Sequence, residues 1–103
     1  DELTLKTADS GDFWFHTKNI PGSHVIIKCE GTVPPERTIF EAAVISATYS
    51  KAKNSSKVPV DYTVRKNVKK PRGAKPGMVI YEQNKTIYVD PDEKMTDLLE
   101  KRQ

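Results

Sequence analysis

From residue 57 to 69 the chain alternates, with Val58, Val60, Tyr62, Val64 and Val68 on even positions and Lys57, Asp61, Thr63, Arg65, Asn67 and Lys69 on odd ones. A period of two predicts a strand with one buried face and one polar, mostly basic face. Pro59 has no amide hydrogen to donate, which places its neighbourhood at a sheet edge or a strand start. Upstream, residues 13–16 are aromatic and residues 25–29 β-branched, with Pro21-Gly22 between them as a turn signal, so two strands around a loop are expected. Alternation puts Trp14 and His16 on one face of the first strand and Phe13 and Phe15 on the other. One face thus carries two rings able to stack on a base.

Pro34-Pro35 ends that segment, and Thr38-Ile39-Phe40-Glu41 matches a capping box, so a helix is expected over about residues 38–53. Ile39, Phe40, Ala42, Ala43, Val44, Ile45, Ala47 and Tyr49 leave it little polar surface, which predicts packing on more than one side. Ala43 and Ala47 would let a sheet approach closely. Lys51 and Lys53 suit its carboxyl end, and Asn54 is a stop. Pro71, Gly73, Pro76 and Gly77 mark a loop. Residues 78–82 and 86–89 flank Gln83, Asn84 and Lys85 as a β-hairpin. The first eight residues alternate like a strand at Leu3 and Leu5, while Asp1, Glu2, Lys6 and Gly11 suit a short helix, the preferred reading, and residues 91–103 read as a charged tail with a frayed helix around Leu98 and Leu99. The expected architecture is α/β of the α+β kind: a single domain over residues 1–103, mostly antiparallel sheet packed on one central helix, with a basic strand and loop on one side.

At 103 residues the chain has room for one domain, burying about 65% of the surface its unfolded form exposes. Hydrophobic residues make up 36%, and no apolar run approaches the roughly 18 residues of a membrane span. The lone Cys29, in an apolar run, reads as a small core residue and supports no disulfide framework. With no leader pattern either, a reducing, cytoplasmic setting is expected. Charge changes the picture more. The net +3 conceals nine basic residues against Asp61 alone over residues 51–75, a net +8, so the remaining 78 residues carry −5. Such a field attracts phosphate polymers or an anionic surface.

The candidate RNA-contacting cations are Lys51, Lys53, Lys57, Arg65, Lys66, Lys69, Lys70, Arg72 and Lys75. They supply phosphate attraction, and loop amides near Gly73 and Gly77 can donate to phosphate oxygens. Trp14, His16 and Tyr62 can stack on unpaired bases, although Tyr62 falls on the presumed buried face. His16 and His24 can meet on adjoining strands with Asp61 as a third member, but zinc needs three or four ligands and no second Cys or HExxH pattern exists. Ser23 precedes His24 without a GxSxG elbow. No metal, no cofactor and no catalytic residue is therefore expected, and the histidines read as structural groups bonding turn carbonyls. Asp61 reads first as an ion pair fixing Lys57 or Arg65, and second as an acceptor for a ribose hydroxyl or base edge.

Three stretches carry a resemblance: Asp12-Phe-Trp-Phe-His-Thr-Lys-Asn-Ile-Pro-Gly-Ser-His-Val25, then Tyr49-Ser-Lys-Ala-Lys-Asn-Ser-Ser-Lys-Val-Pro-Val-Asp-Tyr-Thr63, then Lys66-Asn-Val-Lys-Lys-Pro-Arg-Gly-Ala-Lys-Pro-Gly-Met-Val79. In this order they resemble the NFACT-R domain, the carboxyl-terminal RNA-binding module of the RqcH/fibronectin-binding-protein family. The resemblance runs over about residues 3–92. It implies a role on an obstructed large ribosomal subunit, with rRNA and tRNA as partners, during alanine tailing of stalled nascent chains. The two Lys-rich motifs fall on residues 51–57 and 66–75. Trp14, His16, Lys18, Gly22, Ser23 and His24 fall in the aromatic and Pro-Gly-Ser-His motif, and Asn54 and Asp61 complete the polar set. The family's amino-terminal domain, helix-hairpin-helix element and coiled coil are absent from these residues, so an excised module is expected to need the parent's other domains for tailing. A surface adhesin domain binding fibronectin is the alternative that the family name supplies.

Overall fold

In the computed structural model, which describes residues 10–20, 24–29, 32–69, 72–73 and 79–96, the alternation along the chain becomes antiparallel sheet. In chain order the elements are β1 (Phe13–Thr17), β2 (Val25–Ile27), α1 (Glu36–Thr48), β3 (Val58–Val64), a 3-10 turn (Arg65–Asn67), β4 (Val68–Lys69), β5 (Ile80–Tyr81) and β6 (Lys85–Val89). The main sheet has the order β2-β1-β3-β6, and β4 and β5 form a separate pair. Every pairing is antiparallel, with Trp14 opposite Ile26 and Thr63, His16 opposite Asp61, and Asp61 opposite Thr86. Helix α1 lies across one face of the main sheet. Phe15, Val58, Val60 and Val89 from the sheet close on Ile39, Ala42, Ala43, Val44 and Ala47 from the helix. Ala43 and Ala47 are fully buried, as their small size suggested. Each fully enclosed valine or phenylalanine here contributes about 1.5–3 kcal/mol, and each alanine methyl less. The architecture is the expected one, a mostly antiparallel sheet against one main helix.

Local boundaries differ in instructive ways. Helix α1 starts at Glu36 rather than Thr38, entered from Pro35 with no side-chain cap, and the Ile39 amide donates to the Pro35 carbonyl at 3.1 Å. Proline presets φ for helix entry and withholds no needed donor there, so the diproline starts the helix that the capping box placed two residues later. The helix ends at Thr48, five residues short of expectation. The Thr48 hydroxyl donates back to the Val44 carbonyl at 2.7 Å, and the Ser50 hydroxyl donates to Ala47 O and accepts the Ala52 amide. Hydroxyls that bind local carbonyls favour a turn over continued helix. Lys51, Lys53 and Asn54 therefore lie on turns beyond α1, and Ala52 dips back into the core.

Strand β3 is central, between β1 and β6, rather than at an edge. Pro59, its second residue, accepts the Lys18 amide on its carbonyl at 2.9 Å. Its own nitrogen has no hydrogen to return to Lys18, and this gap falls at the very end of the β1–β3 ladder, one residue beyond the Thr17–Val60 pair. The odd face of β3 is also not a solvated basic face: Asp61 and Thr63 are buried. The period of two stops at Val64. The 3-10 turn then redirects the chain, held by Arg65 Nη1 donating to Val68 O at 2.8 Å, and Val68 joins Trp14 on the face opposite the helix. The expected hairpin over residues 78–89 is also redrawn, since β5 pairs with β4 while β6 pairs with β3. Gln83, with φ 53°, lies in the link between the two sheets. Cys29 is half-buried rather than core, its thiol donating to Gly11 O. The amino-terminal helix, Lys70, Lys75, Gly22, Ser23 and the region around Leu98 and Leu99 lie outside the described residues.

Candidate nucleic-acid interface

The face of the main sheet away from α1 carries the aromatic and charged residues singled out from the sequence. Trp14 is its centre and has no exposed surface. His16 lies parallel to it at 5.7 Å, His24 meets it edge-on at 5.3 Å, and Tyr81 tilts over it at 4.8 Å. Val68 closes the remaining side from β4. The expectation of Trp14 as an open stacking platform is therefore corrected. Period two placed the ring on the right face, but the β4–β5 pair folds over it, and the indole Nε1 is buried without a partner. His16 and His24 do meet, as a T-shaped pair at 5.0 Å packed on the indole. Among the described residues no three His, Cys, Asp or Glu side chains group to hold a metal. Burial pushes His24 down to about 4, and the neighbouring His16 acts in the same direction.

Asp61 is the second organiser. It is only 1% exposed and accepts the Tyr81 hydroxyl and the Thr86 hydroxyl, each at 2.5 Å. Lys18 Nζ stands 3.7 Å from it. Neither Lys57 nor Arg65 is its partner: the Lys57 amide donates to Asp90, and the Arg65 guanidinium holds Val68 O. Burial and the bond to Asp61 raise the Tyr81 hydroxyl well above the usual phenol range, so it donates throughout the ordinary pH range. Asp61 thus ties β5 and β6 to the centre of the sheet.

Asp12 was missed as an organiser, because an isolated acid ahead of an aromatic run has no distinguishing pattern. It is fully buried, pairs with Lys28 Nζ at 3.2 Å and accepts the Cys29 amide. Its carbonyl takes the Arg65 amide at 2.7 Å, and Ser10 O takes the Lys66 amide. These bonds pin the basic 3-10 turn to the start of β1. Lys66 projects from it into solvent, Lys69 is exposed on β4, and Arg72 is exposed beside Gly73, whose φ of +76° suits glycine.

Lys51, Lys53, Asn54 and Lys57 are exposed but precede β3, whereas Arg65, Lys66 and Lys69 follow its end. Seven strand residues separate the two groups by about 20 Å. Among the described residues, the cations that flank β3 therefore fall into two groups rather than one convergent patch. Strand β1 runs between them, with Trp14 near the Arg65 end and Lys18 near the Pro59 end.

The family model for the NFACT protein RNA-binding domain matches residues 1–83. The chain belongs to the NFACT-R family. This NFACT-R domain is 57% identical over 90 residues to a Bacillus subtilis (strain 168) protein named Rqc2 homolog RqcH, a match covering 87% of this chain and 15% of the relative. A protein of the same name from Streptococcus suis (strain 05ZYH33) is 46% identical over 93 residues, covering 90% of this chain and 17% of the relative. The chain thus spans less than a fifth of either. The solved carboxyl-terminal part of the fibronectin/fibrinogen-binding protein from Streptococcus suis matches with a TM-score of 0.88 at 44% identity, over 95% of this chain and 39% of that one. In this NFACT-R domain, the motif residues Trp14, His16, His24 and Asp61 form the packed floor between the two cationic patches.

Proposed function

We propose that this NFACT-R domain is the RNA-gripping module of a cytoplasmic ribosome quality-control factor, holding rRNA or tRNA on an obstructed large subunit while other domains of the parent protein support alanine tailing. The observation that carries the reading is the mounting of the basic 3-10 turn. Backbone bonds from Arg65 to Asp12 and from Lys66 to Ser10 hold the turn in place, while Lys66 and Lys69 stay exposed to meet phosphates. The names of the relatives and the RNA-binding family description support the same reading. Binding to tRNA and to large-subunit rRNA at several salt concentrations tests it. Contact with roughly four to six phosphates gives a slope of log affinity against log salt on the order of −3 to −5. No binding at low salt, or a flat slope, excludes it. Replacing Lys66 and Lys69 together by alanine lowers affinity across RNA sequences and makes the slope shallower by about 1.5.

A second reading follows from the name of the solved relative, which mentions fibronectin and fibrinogen. Adsorption to immobilised fibronectin that persists at physiological salt and survives loss of Lys66 and Lys69 would favour it over the RNA reading.

A further inference from the structure

We propose that the open edge of β6 pairs with β6 of a second copy of this chain, antiparallel about a two-fold axis at Ile87, with Lys85 of each copy entering an acidic groove on the other. Among the described residues β6 is the last strand of the order β2-β1-β3-β6 and has β3 as its one neighbour. The direction of its backbone groups follows from β3. The Lys18 amide donates to the Pro59 carbonyl, so Pro59, Asp61 and Thr63 turn their backbone groups toward β1, while Val58, Val60 and Tyr62 turn theirs toward β6. Those last three stand opposite Val89, Ile87 and Lys85. Thr86 and Tyr88 therefore each aim an amide hydrogen and a carbonyl oxygen away from the sheet, along an edge where Tyr88 is 66% exposed. Such an edge is a template for a further strand.

Charge along and beside the edge selects the strand. With Ile87 opposite its counterpart, Thr86 of each copy faces Tyr88 of the other, so every outward backbone group of β6 finds a partner. The same register sets Lys85 of one copy opposite Val89 of the other. Lys85 shares the α1 side of the sheet with Ile87 and Val89, which pack in the α1 core. There Val89 borders a groove of about 480 Å³ that Phe40, Val44, Met95, Asp90 and Asp92 also line, two carboxylates against the single cation Lys57. Asp90 accepts the Lys57 amide and Asp92 the Met95 amide, each on one oxygen, which leaves the second oxygen of each for an incoming ammonium. Phe40, 43% exposed, offers an apolar wall to the lysine's methylene stem. The strand carries its cation at one end and its acids at and beyond the other, so antiparallel pairing brings unlike charges together at both junctions. A parallel partner would set Lys85 beside Lys85. Because the axis stands perpendicular to the sheet, both Trp14 faces of the pair look the same way.

Sedimentation equilibrium from about 10 μM to about 1 mM tests the pairing, and the native chain shifts toward the dimer mass as concentration rises. Lys85→Glu raises the dissociation constant about ten-fold or more, because it turns two attractive junctions repulsive. Asp92→Lys does the same, and an equimolar mixture of the two variants regains the dimer, since one junction then carries exchanged charges and the other is native. Tyr88→Pro removes an outward amide hydrogen without touching the β3 ladder, so it abolishes the dimer in a folded chain. Emission of Trp14, the one tryptophan in the sequence, reports whether each variant stays folded. A native chain that remains monomeric throughout overturns the proposal. So does a dimer that Lys85→Glu and Tyr88→Pro both leave unchanged, which uses another surface. Binding of a synthetic peptide of residues 84–90 to a chain that stays monomeric would show an edge made for a foreign strand, and overturns the second copy as its occupant. None of these outcomes touches the RNA reading.

Discussion

The two faces of the main sheet are built by different physics. Against α1 the contacts are apolar and many, from Phe15, Val44, Val58, Val60 and three alanines among others, and no single atom decides the packing. On the opposite face the fully enclosed apolar set among the described residues is Trp14 and Val68, and what closes it is a carboxylate, two hydroxyls and the β4–β5 pair. Apolar burial is non-directional, so the helix face supplies stability without demanding geometry. Hydrogen bonds to a buried carboxylate are directional, so the other face supplies position. A fold that rests on one face is at liberty to spend the other on recognition.

Four measurements sharpen or break that contrast, taken here from the largest expected effect down. Phe15→Ala should lower unfolding free energy by about 3–5 kcal/mol in urea titrations, because it opens a cavity in the aliphatic core. A loss below about 1 kcal/mol would mean that the helix face is not the foundation. Asp61→Ala leaves the Tyr81 and Thr86 hydroxyls without their acceptor and should lower stability by about 1–3 kcal/mol. It should also weaken RNA binding by letting β5 loosen over Trp14. Unchanged hydrogen exchange at Tyr81 in this variant would refute the tie.

The third measurement uses pH. His24 is depressed from 6.5 to about 4 in the folded chain, so the unfolded chain takes a proton first as pH falls. Stability from the neutral imidazole is full above about 6.5, declines between 6.5 and 4, and is gone below 4. Thermal scans of native protein and His24→Gln should diverge least at the acid end of this window and most above it. Parallel curves throughout would show that the Trp14 face does not store His24 neutral. The smallest effect belongs to Lys28, whose side chain is 57% exposed over Asp12. Lys28→Ala should cost no more than about 1 kcal/mol and less in high salt. A larger loss would make Asp12 depend on its cation rather than on the Cys29 amide.

Legibility in the sequence followed the range of each interaction. The β1 and β2 strands, the helix and the even face of β3 were readable because a local period reports which side is apolar. The odd face of β3 was misread because Asp61 and Thr63 look like solvent residues until Tyr81 and Thr86 donate to Asp61 and the Glu82 carbonyl takes the Thr63 hydroxyl, all nineteen or more positions away. Trp14 was placed on the correct face yet not recognised as covered, since its cover comes from β4 and β5. Val68 kept the parity of a core residue but crossed to the other face once the 3-10 turn intervened. Asp12 carried no pattern at all.

By itself the sequence determined that this chain builds a small antiparallel sheet on one helix, that its positive charge is concentrated in a quarter of its length, and that its motifs are those of the NFACT-R family. These follow from periodicity, composition and residue order, which need no knowledge of distant partners. Only the tertiary structure decided that Lys57 and Lys66 stand at opposite ends of β3, that Trp14 is floor rather than platform, and that Asp61 binds Tyr81, Thr86 and Lys18. Those outcomes depend on which segments a turn brings over a sheet, and pairing across such distances leaves no local period along the chain.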